Sequence, residues 1–253
     1  MKFTSKIAIL LSAVLMCIGA ASCKKDTTIQ YYNGTLGNVV GEVFISDQGN
    51  IFHVVEQSGT SYEDLLKTER AYILCDILNK TVGGESNEYD IRLHTSAKVL
   101  VKDIIVLGTE TTEEMLKEDP IDIRNIWISG GYLNLYIEFL VKKGSQTPHL
   151  VNLIQKEAEE GYLFRFTHNA SGETIENYPD EAFEIAGGYI SFPINKVIRE
   201  NEAKLIIEWT RYKSSGMSAA LETEVAGVEG TYKKNDFEHM PQGPADKAKA
   251  VIR

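Results

Sequence analysis

Ile121-Asp122-Ile123-Arg124-Asn125-Ile126-Trp127-Ile128-Ser129 and Tyr132-Leu133-Asn134-Leu135-Tyr136-Ile137-Glu138-Phe139-Leu140-Val141-Lys142, joined by Gly130-Gly131, decide the fold. Residues 121–128 and 132–142 are dense in β-branched, aliphatic and aromatic side chains, and in the second arm Leu133, Leu135, Ile137 and Phe139 recur at every other position. A period of two places those side chains on one face of a strand. The two glycines supply the positive φ that a tight connection needs, so the stretch predicts a β-hairpin. Trp127 is expected near the start of a β domain, buried by its sheet.

The same idiom continues towards the C-terminus. Residues 149–155, 162–168, 189–194 and 203–212 are short strand-like runs separated by polar or glycine turns, a spacing that suggests a β-sandwich over 121–232. A second Gly-Gly, Gly187-Gly188, precedes Tyr189 much as Gly130-Gly131 precedes Tyr132. That likeness reads either as internal pseudo-symmetry or as two tight turns, each at positive φ. From Ser214 the chain turns small, polar and charged, and residues 233–253 read as a poorly ordered tail.

Upstream, Val39, Val43 and Ile45 alternate with polar or glycine positions, and Asp47-Gln48-Gly49-Asn50 is a turn before a strand at 51–55. A helical turn at 60–66 is capped by Thr60 or Ser61, and residues 70–78 form the next strand. After the loop 82–87, Tyr89, Ile91 and Leu93, then residues 99–107, resume alternation. About five strands in so short a span suit a small barrel at 38–120. Residues 111–119 carry a Thr-x-x-Glu capping pattern and predict a short helix that closes the domain before Pro120. The expected fold is therefore all-β, a barrel followed by a sandwich.

The N-terminus carries an address. Lys2 and Lys6 flank the start of an apolar run over residues 7–21, too short to cross a bilayer and of signal-peptide length. Ala20-Ala21-Ser22 then precedes Cys23, small residues before a cysteine as in the lipobox of bacterial lipoproteins. Residues 1–22 are thus expected to be removed, Cys23 to be acylated, and residues 23–37 to form a tether. Lys24 after the cysteine suits sorting to the outer membrane. With Cys17 discarded and Cys23 lipidated, Cys75 has no partner for a disulfide within the chain. It reads as a small buried hydrophobe rather than a catalytic thiol.

The 253 residues, 43% hydrophobic and 25% charged, support packed domains. Lys and Arg number 26 against 36 Asp and Glu, a net charge of -10 that excludes tracking of a phosphate backbone, so no nucleic-acid partner is expected. Removing the leader takes away two lysines and no acid. The histidines, His53, His94, His149, His168 and His239, are scattered without metal-ligand spacing, and no nucleophile elbow, phosphate loop or calcium loop occurs. No metal or cofactor is expected. Glu157, Glu159 and Glu160, and Asp180, Glu181 and Glu184, could supply a glycosidase pair, but they read better as solvated turns. Tyr31, Tyr32, Tyr162 and Tyr178 could stack on sugar rings, though tyrosine is also ordinary strand material.

The residues 70–74, then Tyr89-Asp90-Ile91-Arg92-Leu93, then Asp119-Pro120-Ile121 and Trp127-Ile128-Ser129-Gly130-Gly131-Tyr132-Leu133-Asn134, following a lipobox, resemble the NigD-like lipoproteins. The resemblance implies an OB-type N-terminal domain and a C-terminal β-sandwich. It carries no catalytic residues. The expected function is a non-catalytic envelope lipoprotein held to the membrane through Cys23, binding a protein such as a toxin or an envelope complex, or a glycan. Bacteriocin immunity is one version of that role. The alternative is a carbohydrate-active or peptidoglycan-modifying enzyme.

Overall fold

A computed structural model describes residues 34–59, 61–107, 111–213 and 223–233. Five strands, β1 (Thr35–Val40), β2 (Val43–Ser46), β3 (Ile51–Gln57), β4 (Arg70–Lys80) and β5 (Glu88–Lys98), close into a barrel in the order β1-β2-β3-β5-β4. Between β3 and β4 sits one short helix, α1 (Tyr62–Leu66), with Ser61 as its N-cap residue but without a side-chain cap bond. This is the OB arrangement, with β3 and β5 running parallel and every other contact antiparallel. Phe44, Phe52, Ile73, Ile91, Leu93 and the helix residue Leu65 fill the barrel. Asp47-Gln48-Gly49-Asn50 is the turn read from sequence, with Gly49 at φ 81°.

The second domain is a two-sheet sandwich. The remaining strands are β6 (Leu100–Val101), β7 (Ile105–Val106), β8 (Asp122–Ser129), β9 (Tyr132–Lys142), β10 (Leu150–Lys156), β11 (Tyr162–Asn169), β12 (Phe183–Phe192), β13 (Glu202–Tyr212) and β14 (Thr223–Lys233). One sheet has the order β14-β13-β11-β10-β7 and the other β6-β12-β9-β8. Leu133, Leu135, Ile137 and Phe139, the alternating set of β9, face the core with Leu153, Phe164, Phe166 and Ile190. Ser129 pairs with Tyr132 across Gly130 and Gly131, both at positive φ, which is the two-residue hairpin read from sequence.

Several local expectations are corrected. The barrel ends at Lys98, not near Pro120, because Leu100–Val101 and Ile105–Val106 pair in parallel with β12 and β10 of the sandwich. Their apolar residues alternate, but pairing across the domain junction decides which sheet they join. The capping pattern at 111–119 yields only a 3-10 turn, Glu113–Leu116, with no side-chain cap bond. β1 begins at Thr35, inside the 23–37 stretch expected to be tether, and β14 occupies sequence read only as small, polar and charged at the end of the expected sandwich. β14 is exposed along nearly its whole length, so it lacks the alternation that marks a half-buried strand. Gly187 and Gly188 lie inside β12 without positive φ, so neither pseudo-symmetry nor a second turn explains them. A Cβ on Gly187 would sit 2.8 Å from the Tyr136 hydroxyl, which is the reason that position is small.

Candidate functional site

The barrel has two outer faces, and one of them is occupied by the sandwich. Leu36, Tyr72 and Val99 pack with Trp127, Tyr136 and Tyr189 in a buried cluster that joins the domains. Tyr72 stacks on Tyr189 with centroids 4.6 Å apart, and Trp127 meets the same ring edge-on at 6.4 Å. Burial pushes the Tyr189 hydroxyl far up its range. Beside the aromatics, Arg70 of β4 makes a bidentate pair with Asp47 at 2.8 and 2.7 Å. Its Nε donates to Ser191 Oγ at 2.9 Å, Nη2 donates to Asn134 Oδ1 at 3.1 Å, and its guanidinium lies 4.1 Å from the centre of the Tyr132 ring. Ser129 donates to Asp47, and a Cβ on Gly130 would come within 2.5 Å of Asp47 Oδ1. The junction between the domains is therefore a filled polar and aromatic joint. Trp127 is buried as expected, by the barrel as well as by its own sheet.

The other face, across β2 and β3, stays open. Phe44, Phe52 and Val54 point into the barrel, so Val43, Ile45, Ile51 and His53 point outwards and are half-buried. Val40 is 54% exposed and Val55 56%, aliphatic side chains rather than basic ones. His53 faces Glu88 across 3.3 Å. A groove of about 330 Å³ runs beside the end of β3, lined by Val54, Val55, Glu56, Gln57, Ser61, Tyr62 and Glu63. Tyr62 is held there by its hydroxyl, which donates to the Glu42 carbonyl, and by its backbone N–H, which donates to Gln57 Oε1 at 2.8 Å.

Just past the end of β3 three polar residues from three segments meet. Ser58, just after β3, lies 2.6 Å by Oγ from His94 Nδ1 on β5, and His94 Nε2 lies 2.9 Å from Asp76 Oδ2 on β4. An ionised carboxylate only accepts, so Nε2 carries the ring proton and Nδ1 accepts from the serine hydroxyl. Arg92 is 2.6 Å from Glu56 and 3.7 Å from Asp76. Sequence reading missed this group because residues 58, 76 and 94 have no short-range spacing; only the β4–β5 and β3–β5 pairings bring them together.

A pair of histidines lies in the sandwich. His149 Nδ1 and His168 Nε2 are 2.9 Å apart, although nineteen residues separate them, because β10 and β11 pair antiparallel. His168 Nδ1 faces the carbonyls of Asp119 and Pro120 at 3.2 and 3.3 Å, so it donates there and its Nε2 accepts from His149. Burial and the neighbouring His149 lower the His168 pKa to about 4, and burial lowers that of His149 against the pull of Glu173, 3.5 Å from its Nε2. Scattered histidines were the expectation, and this contact corrects it. Among the described residues no group of three or more metal-ligating side chains occurs.

The other sequence candidates stay apart. Cys75 is buried in the barrel, and burial pushes its thiol up to about 12, the environment of an inert hydrophobe. Glu157, Glu159 and Glu160 are exposed in the turn before β11, Asp180 and Glu181 lie in a 3-10 turn, and Glu184 is exposed on β12. Tyr162 donates to Glu200 at 2.8 Å, and the Tyr178 ring is covered by Lys142 Nζ at 4.1 Å. Tyr31, Tyr32, Cys23 and His239 lie outside the described residues. Among those residues no helix is long and apolar enough to cross a membrane.

Residues 103–223 match the NigD-like C-terminal beta sandwich domain. Among curated proteins none matches the chain. A protein of unknown function, DUF1344, from Bacteroides vulgatus is similar in structure at 18% identity and TM-score 0.59, over 84% of this chain and 96% of that one. A NigD-like immunity protein from Bacteroides caccae is similar at 16% identity and TM-score 0.52, over 80% and 96%. A protein described as a candidate lipoprotein from Bacteroides fragilis gives 13% identity and TM-score 0.57, over 80% and 98%. At such identities the likeness is one of fold, and it extends over both domains. The chain thus carries a domain that matches the NigD-like C-terminal beta sandwich at residues 103–223, behind an N-terminal five-stranded barrel.

Proposed function

We propose that this chain is a lipoprotein anchored to the outer membrane through Cys23, and that it binds a protein partner on the open β2–β3 face of its barrel. The carrying observation is the division of the barrel surface. The β1–β4 face is consumed by the sandwich, whereas towards β2 and β3 Val40 and Val55 are exposed beside half-buried Val43, Ile45 and Ile51. Aliphatic surface of this kind suits a protein interface better than a sugar, which is gripped by flat rings, or a nucleic acid, which needs bases. The NigD-like immunity protein among the structural neighbours makes a bacteriocin or a related toxin a reasonable partner to test first.

The experiment compares a deletion strain complemented with wild type, Val40→Glu or Val55→Glu for sensitivity to sibling toxins, alongside affinity capture with each protein. Loss of protection and of the captured partner in the glutamate variants supports the reading. Equal protection by all three removes the β2–β3 face, and retention of purified protein on polysaccharide gels with no protein partner favours a glycan.

A further inference from the structure

Ser58, His94 and Asp76 form a hydrogen-bonded chain of nucleophile, base and carboxylate, and its geometry is held by the fold rather than by chance rotamers. The Ser58 backbone N–H donates to the Leu93 carbonyl at 2.9 Å, which locks the serine beside the residue preceding His94. At Gly59 a Cβ would lie 2.0 Å from the His94 carbonyl oxygen, so only glycine lets the chain press this closely against β5. Asp76 is turned towards Arg92 and His94 with its side chain 12% exposed, while the His94 ring is 38% exposed and reachable from solvent. Gln57 and Ser61, on either side of Ser58 in the chain, line the groove beside β3.

We propose that Ser58, His94 and Asp76 are an acyl-transfer site, and that its substrate class is a carboxylic ester with a small acyl group that reaches the exposed Ser58 and His94 side chains from solvent. The activity goes beyond partner binding and is independent of it. The relay needs one ring nitrogen that keeps its proton against the carboxylate and one that collects the serine's, and the usual serine relay has the serine on Nε2 and the carboxylate on Nδ1. Here the carboxylate is on Nε2 and the serine on Nδ1.

The step balances without an added oxidant or metal. Ser58 Oγ attacks the ester carbonyl carbon while its proton moves to His94 Nδ1. The bond from that carbon to the alkoxy oxygen breaks, and the alcohol leaves with the proton from Nδ1. Water then attacks the acyl-serine, again giving a proton to Nδ1, and the serine–acyl bond breaks to release the carboxylic acid and restore the hydroxyl. Ester and water become acid and alcohol. Asp76 touches no substrate and acts as a positioning residue, with Arg92 3.7 Å from the same Oδ2 that faces His94. Ser58 and His94 stand open at the surface, which suits a small acyl group better than a long chain that would need an apolar channel.

The test treats the purified full chain with a fluorophosphonate probe and maps the adduct by mass spectrometry, in parallel with turnover of p-nitrophenyl acetate. The expected result is one adduct, on Ser58, and acetate release that falls at least about 100-fold in Ser58→Ala and His94→Gln. Asp76→Asn is expected to lower kcat with little change in KM and to alter the pH profile, whereas a purely structural defect would appear in thermal melting instead. Ser58→Cys supplies a second readout: its thiol, activated by His94, should react with iodoacetamide far faster than buried Cys75. Labelling elsewhere, turnover unchanged in Ser58→Ala, or a Ser58→Cys thiol no faster than free cysteine would each overturn the site.

Discussion

Arg70 on β4 donates from Nε to Ser191 Oγ on β12 at 2.9 Å, so side chains 121 residues apart share one buried bond across the domain junction. The same guanidinium holds Asp47 bidentately, and both side chains are 1% exposed. A charge in that position must keep its partner, because removing one member leaves the other buried and uncompensated. Asp47→Ala is therefore expected to cost about 3–5 kcal/mol in urea unfolding and to admit protease between the domains. A loss under about 1 kcal/mol would mean the joint relies on its aromatic cluster alone.

The His149–His168 pair makes stability depend on pH. His168 has a pKa of about 4 in the fold against 6.5 in an unfolded chain, so on acidification the unfolded state takes up the proton first. Stability is thus complete above about pH 6.5 and is lost as pH falls towards 4, by about 3 kcal/mol for this group. The carboxylates lowered by their partners, Glu118 by Arg165 and Glu173 by hydrogen bonds from Ser145 and Lys142 that outweigh its burial, lose their contribution further down, below their ordinary 4.5. Urea midpoints measured between pH 7 and 5 should fall in wild type and much less in His168→Asn. A flat wild-type profile over that interval would show that the pair is not held neutral.

Gly130 and Gly41 share a left-handed backbone, at φ 58° and 61°, but differ in surroundings. A Cβ at Gly41 meets nothing within 4 Å, whereas one at Gly130 would strike Asp47 Oδ1 at 2.5 Å and disturb the Arg70 network. Gly41→Ala is expected to cost about 1 kcal/mol of backbone strain, and Gly130→Ala at least twice that. Equal losses in thermal melts would show that Asp47 yields freely.

Metabolic labelling with a palmitate analogue tests the anchor. Wild type is expected to carry the label and to sediment with membranes, and Cys23→Ala to lose both. Retention of label and membrane fraction by Cys23→Ala would move the attachment elsewhere.

What the sequence determined by itself was local. Alternation at Leu133, Leu135, Ile137 and Phe139 settles which face of β9 is buried, because a strand side chain can point only one of two ways, and Gly130-Gly131 settles a hairpin, because few residues accept positive φ. The all-β class and the barrel-then-sandwich order follow from such signals repeated along the chain. The partnership of strands was decided only in three dimensions. Leu100–Val101 and Ile105–Val106 read as barrel strands yet pair with β12 and β10, and nothing in a two-residue alternation says which distant edge will receive it. The sites share that dependence: β3 meets β5 and β4 meets β5 before Ser58, His94 and Asp76 can touch, and the β10–β11 ladder must form before His149 reaches His168. Arg70 looks in sequence like any charged residue opening a strand, and it becomes a buried interdomain tie because Asp47, Asn134 and Ser191 converge on it from three other segments. Local patterning is written in neighbours along the chain; convergence is set by the non-local pairings that bury the most apolar surface while satisfying every buried polar group.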